Sequence, residues 1–280
     1  MRSYCRSLIA AIALAQLAVP RSSGAAPVST CPPDSVQVGP VCVDTYETSV
    51  WSIPAANTKL IAKVKAGTAT LADLTSGGAT QQSVSPSCAP SFPTTFPATG
   101  NWTAPLYAVS IPGVLPTACV TWFQAEQACA LSGKRLLTNQ EWQRGAAGTP
   151  DPGTDNGTTD CNISAAGNPV NTGSRSNCKS SWGIFDMVGN VDEWVADWVD
   201  RAVNCTDWTS QTGIAGGDFS CFGGPGNTGN TGETFNFNSI PGALDRGGHW
   251  NNGTDAGVFA VLADSFPSKL SPFRGFRCAR

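Results

Sequence analysis

The segment Phe185-Asp186-Met187-Val188-Gly189-Asn190-Val191-Asp192-Glu193-Trp194 sets three acids around a Gly-Asn turn. Carboxylate and carbonyl oxygens presented by a tight turn are hard donors of the kind that suits Ca²⁺. The competing reading is that Asp186 and Glu193 cap a helix over 194–198, since a helix N-terminus favours acids. A second stretch of unusual composition runs through His249-Trp250-Asn251-Asn252-Gly253-Thr254, Phe259, Asp264-Ser265-Phe266 and Phe273-Arg274. Aromatic, Asn and Ser side chains make adaptable contacts, as in antibody loops. His249, Trp250, Asn251, Asn252, Phe259, Asp264, Phe266 and Arg274 are therefore the candidate ligand-binding residues. The alternative is that Trp250, Phe259 and Phe266 belong to the core.

Several catalytic chemistries find little support in the residue inventory. His249 is the single histidine, and a non-haem iron triad needs two histidines and a carboxylate. No G-x-S-x-G nucleophile turn occurs. No cysteine lies between Cys221 and Cys278. A diverged enzyme would have to use His249, Asp255 or Asp264. The structural or ligand-contact reading of His249 is the simpler one.

The first residues read as an export signal. Arg2 and Arg6 form a basic start, 8–19 is apolar, and small residues at 22–26 suit cleavage near Ala25 or Ala26. The apolar run is too short for a membrane span, and no later run is long enough. The remainder, 27–280, is expected to be one domain. Without Arg2, Arg6 and Arg21 it carries 14 basic against 20 acidic side chains. With no basic run, nucleic acid and anionic membranes are poor partners. The location expected is extracytoplasmic.

Ten cysteines remain after the signal: Cys31, Cys42, Cys88, Cys119, Cys129, Cys161, Cys178, Cys205, Cys221 and Cys278. An even count in an exported chain reads as disulfides, and the absence of CxxC argues against zinc.

These groups need elements to position them. Val36–Val38 and Val41–Val43 alternate around Gly39-Pro40, which predicts a hairpin with Cys31 and Cys42 across it. Residues 52–105 read as an irregular insertion, too sparse in apolar positions for a core, with one short helix near 57–65. Thr121 with Gln124, and Thr138 with Glu141, are capping boxes that start two helices. Residues 149–180 and 200–245 are long Gly/Asn/Thr-rich loops of the kind that disulfides clip or function uses. Strands are expected at 244–250, 257–262 and 274–279. The last of these carries Cys278 and should pair with the first strands.

The ordered set Gly189-Asn190-Val191-Asp192-Glu193-Trp194, Arg246-Gly247-Gly248-His249-Trp250 and Gly275-Phe276-Arg277-Cys278, preceded by Gly133-Lys134-Arg135-Leu136-Leu137-Thr138, resembles the formylglycine-generating enzyme (sulfatase-modifying factor) family. The resemblance spans roughly residues 115–280. It implies an α+β fold, the formylglycine-generating-enzyme-type C-type lectin fold: loop-rich, with short strands and two or three helices. It also implies one structural calcium held by Asp186 and Glu193 carboxylates and the carbonyls of Gly189 and Val191. Asp192 departs from the family, which usually has an aromatic there. The family's first calcium loop would open at Asn162-Ile163, but its next carboxylate position holds Arg175, so that site is expected to be empty or lost. The family's copper-binding cysteines fall at Asn252 and Gly257, which cannot supply thiolates, so neither copper nor iron is expected. The family disulfide implies Cys129–Cys278. The sequential pairs 31–42, 88–119, 161–178 and 205–221 are one connectivity among 105.

The family reading assigns Arg246 and Arg277 structural roles, with Glu141 or Asp197 as candidate partners. The 249–274 stretch also resembles the variable region of retroelement-diversified proteins, which vary surface residues there to bind ligands. The expected function is an exported, non-catalytic domain that binds an unidentified protein or glycan. The alternative is a diverged oxidoreductase of the same family.

Overall fold

The structure is a computed structural model. It describes residues 30–92, 105–201, 206–207, 218–221 and 241–280. The expected signal segment 1–26 lies outside them.

The chain opens with the predicted hairpin, β1 (Ser35–Val38) and β2 (Val41–Asp44), antiparallel with Val38 opposite Val41. β3 (Ser49–Ser52) follows, then helices α1 (Thr58–Lys65) and α2 (Leu71–Ser76), strand β4 (Thr80–Gln82) and strand β5 (Leu106–Val109). The order β4-β3-β5 makes a three-stranded sheet. This part differs from the sequence expectation. One helix was expected near 57–65 and is present, but α2 is a second one. The few apolar residues there do form a core cluster. Leu60, Val64, Ala69 and Leu74 pack with Trp51, Ile53, Tyr107, Val109 and Ile111. Sparse apolar positions suffice because β3 and β5 supply the other half of the cluster.

Both capping boxes form as predicted. α3 (Trp122–Leu131) starts at Thr121, and α4 (Asn139–Ala146) starts at Thr138, with β6 (Arg135–Leu136) between them. Glu141 accepts from the Thr138 amide and pairs with Arg135 at 2.7 Å.

The segment read as a possible helix over 194–198 is instead inside β7 (Asp192–Asp200). Its alternation of Trp194, Ala196 and Trp198 against Val195 and Val199 is period two, the strand period. β7 sits in a six-stranded sheet, order β12-β7-β10-β11-β9-β8. The other members are β8 (Thr206–Asp207), β9 (Phe219–Cys221), β10 (Pro241–Arg246), β11 (Val261–Ser265) and β12 (Arg274–Phe276). The expected strands at 244–250 and 257–262 are displaced by a few residues, because Gly247 and Gly248 break away from the ladder. Finally β13 (Cys278–Ala279) pairs with β2 and β6, so the last strand meets the first hairpin as expected.

Two core clusters flank this arrangement. Leu137, Trp142, Val195 and Leu244 anchor one; Trp194, Phe276, Leu136 and Cys129 anchor the other. Among the described residues four disulfides are present: Cys31–Cys42, Cys88–Cys119, Cys129–Cys278 and Cys161–Cys178. The expected 205–221 pairing falls outside the described side chains. Among the described residues no helix is long and apolar enough to cross a membrane.

Candidate functional site

The turn at 186–193 is built on left-handed backbone. Asp186, Gly189 and Asn190 have φ of 59°, 74° and 61°. Asp and Asn tolerate that region better than other side chains. Gly189 has no alternative, since a Cβ there would lie 2.3 Å from the Asn162 carbonyl oxygen. Asn190 staples the turn to its surroundings. Its amide nitrogen takes the Asn162 carbonyl at 2.8 Å, and its Oδ1 accepts from the Val170 amide at 2.8 Å. Its Nδ2 donates to Glu47.

The charges around this turn do not balance by themselves. Glu47, Asp186 and Glu193 are all buried, and the guanidinium among them is Arg277. Arg277 bonds Glu193 at 2.7 Å and donates to the carbonyls of Asp44 and Phe185. Asp186 accepts from the Gly173 amide at 2.7 Å. Burial pushes the Asp186 carboxyl up to about 7, and the nearby Glu193 adds to the rise. Glu47 is raised well above the usual range by burial, then by Asp186 and Glu193. Arg277 and, at Asp186, Arg175 offset part of this negative charge; a divalent ion at the turn would favour the ionised forms of Glu47 and Asp186.

Asp186 therefore fits the expected calcium set. Glu193 fits less freely, since its oxygens already accept from Arg277 and from the Trp142 indole at 2.8 Å. Among the described residues no three His, Cys, Asp or Glu side chains converge as a metal cluster. The carbonyls of Gly189 and Val191 would have to complete the shell. Glu47 was missed in the sequence. It lies 143 residues from its partner Asn190, and no local pattern marks it.

In the first loop, the Arg175 side chain is buried and its Nη1 lies 3.7 Å from Asp155 Oδ1. A guanidinium thus stands beside Asn162 and Ile163, whose segment Asp155 holds through the amides of Ile163, Ser164 and Ala165.

The partners expected for the two motif arginines are corrected. Arg277 takes Glu193. Arg246 lies over the Trp142 ring, with its centre 4.5 Å away, and donates to Gln143 and the Val258 carbonyl. Glu141 is occupied by Arg135, and Asp197 caps the Asn139 amide at 2.6 Å. Both expected acids had nearer donors.

The 249–274 stretch is only partly one surface. His249, Trp250, Asn251 and Asn252 form one turn. Asn252 Oδ1 accepts from the His249 amide, and His249 Nδ1 accepts from the Asn251 amide at 3.2 Å. His249 stacks on Phe273 at 4.2 Å, and Trp250 tilts against the same ring at 5.3 Å. Burial, and then Arg274, push the His249 imidazole down to about 4. The lowered value favours the neutral ring at pH 7.

Arg274 is not a surface cation, contrary to the sequence reading. It is buried, bonded to Asp245, and 3.2 Å from Asp264. All three residues of its strand are buried, and Asp192 and Asp245 act on Arg274 there. Phe259 and Phe266 are each a little over a third exposed. Phe259 is fixed by its amide to Asp218 at 2.7 Å, and Phe266 lies under Arg201.

The two positions expected in place of thiolates are filled. Asn252 caps the His249 turn. At Gly257, an added Cβ would fall 2.1 Å from Asp218 Oδ1 and 2.2 Å from Oδ2. Asp218 is buried, and its carboxyl is raised to about 6, by burial first and by Asp151 among other causes. Sequence reasoning missed Asp218 because it sits in the Gly-rich 200–245 loop, some forty residues from Gly257.

The profile of the sulfatase-modifying factor enzyme 1-like domain matches residues 78–280. This chain belongs to that family. Its fold is accordingly the formylglycine-generating-enzyme-type C-type lectin fold expected from the sequence. None of the curated proteins matches the chain.

Similar solved structures include the Major Tropism Determinant U1 variant. It is 18% identical, covers 90% of this chain and 54% of its own, and has a TM-score of 0.45. The chain thus spans about half the length of the tropism determinants. Treponema denticola variable protein 1 is 19% identical over 59% of this chain and 70% of its own, TM-score 0.31. PvdO from Pseudomonas aeruginosa is 19% identical over 86% of this chain and 80% of its own, TM-score 0.34. At these identities and scores the likenesses carry no functional argument for this family member.

Proposed function

We propose that this family member is an exported, non-catalytic ligand-binding domain. The observation that carries the reading is the Asp218 carboxylate lying where a side chain at position 257 would project. A cysteine introduced there would have to displace a buried acid that holds the Phe259 amide. With Asn252 committed to the His249 turn, the family's paired thiolates have no counterpart in this geometry. The His249–Asn252 turn, backed by Phe273 and flanked by the 149–180 loop, is the binding surface. Its ligand is a protein or glycan.

A structural calcium at the 186–193 turn belongs to the same reading. Asp186, Glu193 and the carbonyls of Gly189 and Val191 would hold it, with Glu47 contributing charge. The ion would supply positive charge that favours the ionised forms of these buried acids. It would stiffen the turn that carries Asn190, whose carbonyl accepts from the Trp250 amide at 3.1 Å.

Native mass spectrometry of the oxidised protein, with and without chelator, tests both parts. One calcium per chain and neither copper nor iron is expected. Stoichiometric copper or iron would sink the non-catalytic reading. A glycan and protein-ligand panel then tests binding. Asn251→Ala should abolish capture of any ligand found, without changing the melting temperature.

A further inference from the structure

Among the described residues, left-handed backbone outside glycine is concentrated in two places. Five non-glycine residues among those described have positive φ. Two are Asp186 and Asn190, in the acidic turn. The other three are Ser83, Cys88 and Cys119, at 47°, 55° and 54°. Ser and Cys gain nothing from that region, unlike Asp and Asn, so the corner they form is held there by its surroundings. What holds it is the Cys88–Cys119 bridge.

This bridge differs from the others in access. Cys129, Cys278, Cys161, Cys178 and Cys42 are buried, whereas Cys88 and Cys119 are both half-buried beside the exposed Pro86 and Ser87. Cys31 is half-buried too, but its partner is enclosed and neither has a left-handed backbone. An attacking thiolate needs a reachable sulfur, and strained, exposed bridges are the reducible ones.

The corner also reaches into the segment before Arg274. The Cys119 amide donates to the Ser271 carbonyl at 2.9 Å, and the Ser85 hydroxyl donates to the Pro272 carbonyl at 2.9 Å. Ala118 and Ser85 tie the two sides of the corner through Ser83 and Pro116. Three residues after Cys119, the Trp122 amide donates to the Pro267 carbonyl at 2.9 Å. Phe273, the ring on which His249 stacks, follows Pro272 directly.

We propose that Cys88–Cys119 is a redox latch: closed, it holds segment 267–273 against the His249 turn; reduced, it releases that segment. The reductant is an external dithiol. Its thiolate attacks one sulfur of the bridge, forming a mixed disulfide and expelling the other cysteine as a thiolate. The second thiol of the reductant then attacks the mixed disulfide, frees the remaining cysteine and leaves as a disulfide. Two electrons pass to the bridge, and the thiols regain their protons through water. With the bridge open, Cys88 and Cys119 are free to leave the left-handed region. The two hydrogen bonds to 271–272 then lose their fixed donors. The latch rests on its own geometry, so it can stand or fall separately from the ligand-binding reading.

The test is a dithiothreitol titration of the intact oxidised chain, quenched with an alkylating agent and mapped by peptide mass spectrometry, with amide exchange measured in parallel. Cys88 and Cys119 should be alkylated at about tenfold less reductant than Cys129 and Cys278. Exchange at 267–273 should rise at that point, while β7 stays protected. Opening only together with Cys129–Cys278 would overturn the proposal, as would early opening with unchanged exchange at 267–273. The variant C88S/C119S should show the fast-exchange pattern without reductant, and the oxidised pattern there would also overturn it. If that variant fails to fold, the titration of the native chain still decides.

Discussion

Single ionisable groups set the chemistry at the smallest scale. His249 is the residue a catalytic reading would want, yet it is enclosed against Phe273 and accepts a backbone amide. Its folded-state value of about 4 lies below the ordinary one. The neutral form is therefore favoured in the fold, and stability is lost as pH falls from about 6.5 towards 4. An NMR titration should place its midpoint near 4, and a midpoint of 6 or above would contradict the enclosed geometry. Asp192 behaves oppositely. Burial and Asp245 raise it well above the usual carboxylate range, and its Oδ1 has no hydrogen-bond partner. Asp245 is raised to about 6, by burial and also by Asp264. A raised carboxyl favours the fold fully below the unfolded value near 3.8, and that stability declines as pH rises to about 6. Asp192→Asn should therefore stabilise the protein more at pH 8 than at pH 4 and flatten the decline, read from urea midpoints at the two values. Equal stabilisation at both values would show that charge is not the cause.

Elements are legible where local chemistry suffices to define them. The two capping boxes were readable because their donors and acceptors lie three residues apart. Thr138→Ala should cost about 1 kcal/mol in urea unfolding, since it leaves an amide at the α4 start unpaired. β7 was less legible. Its acids resembled a helix start, and only pairing with β10 and β12 fixes the strand. The insertion failed for a similar reason. Leu60, Val64 and Leu74 make half of a core, and the other half comes from β3 and β5, either side of them in the chain. At this scale the calcium reading also becomes testable. If the ion stiffens the 186–193 turn, chelation should lower the melting temperature and calcium should restore it. Asp186→Asn should remove most of that difference.

Across the whole molecule, closure of the ends is the dominant constraint. β13 inserts between β2 and β6, and Cys129–Cys278 pins it across a separation of 149 residues. Loop-closure entropy for a span of that size is worth about 5 kcal/mol in the unfolded chain. The C129S/C278S variant should lose stability of that order by calorimetry or denaturant titration. A loss under about 1 kcal/mol would show that the unfolded chain is already compact.

The sequence by itself determined the family, the C-terminal motifs, the helix starts, the first hairpin and, through the family resemblance, the Cys129–Cys278 pair; the other three observed pairs were one connectivity among 105 until the fold placed them. What the sequence determined rests on residues close in the chain or on a motif carried intact. Tertiary structure alone decided which charges meet. Glu47 joins the acidic turn, Arg277 takes Glu193, Arg274 turns inward to Asp245, and Asp218 fills the space beside Gly257. These partners are separated by 29 to 143 residues in the chain. Pairing of buried charges depends on distance in space and on exclusion of water, and neither is written in local spacing.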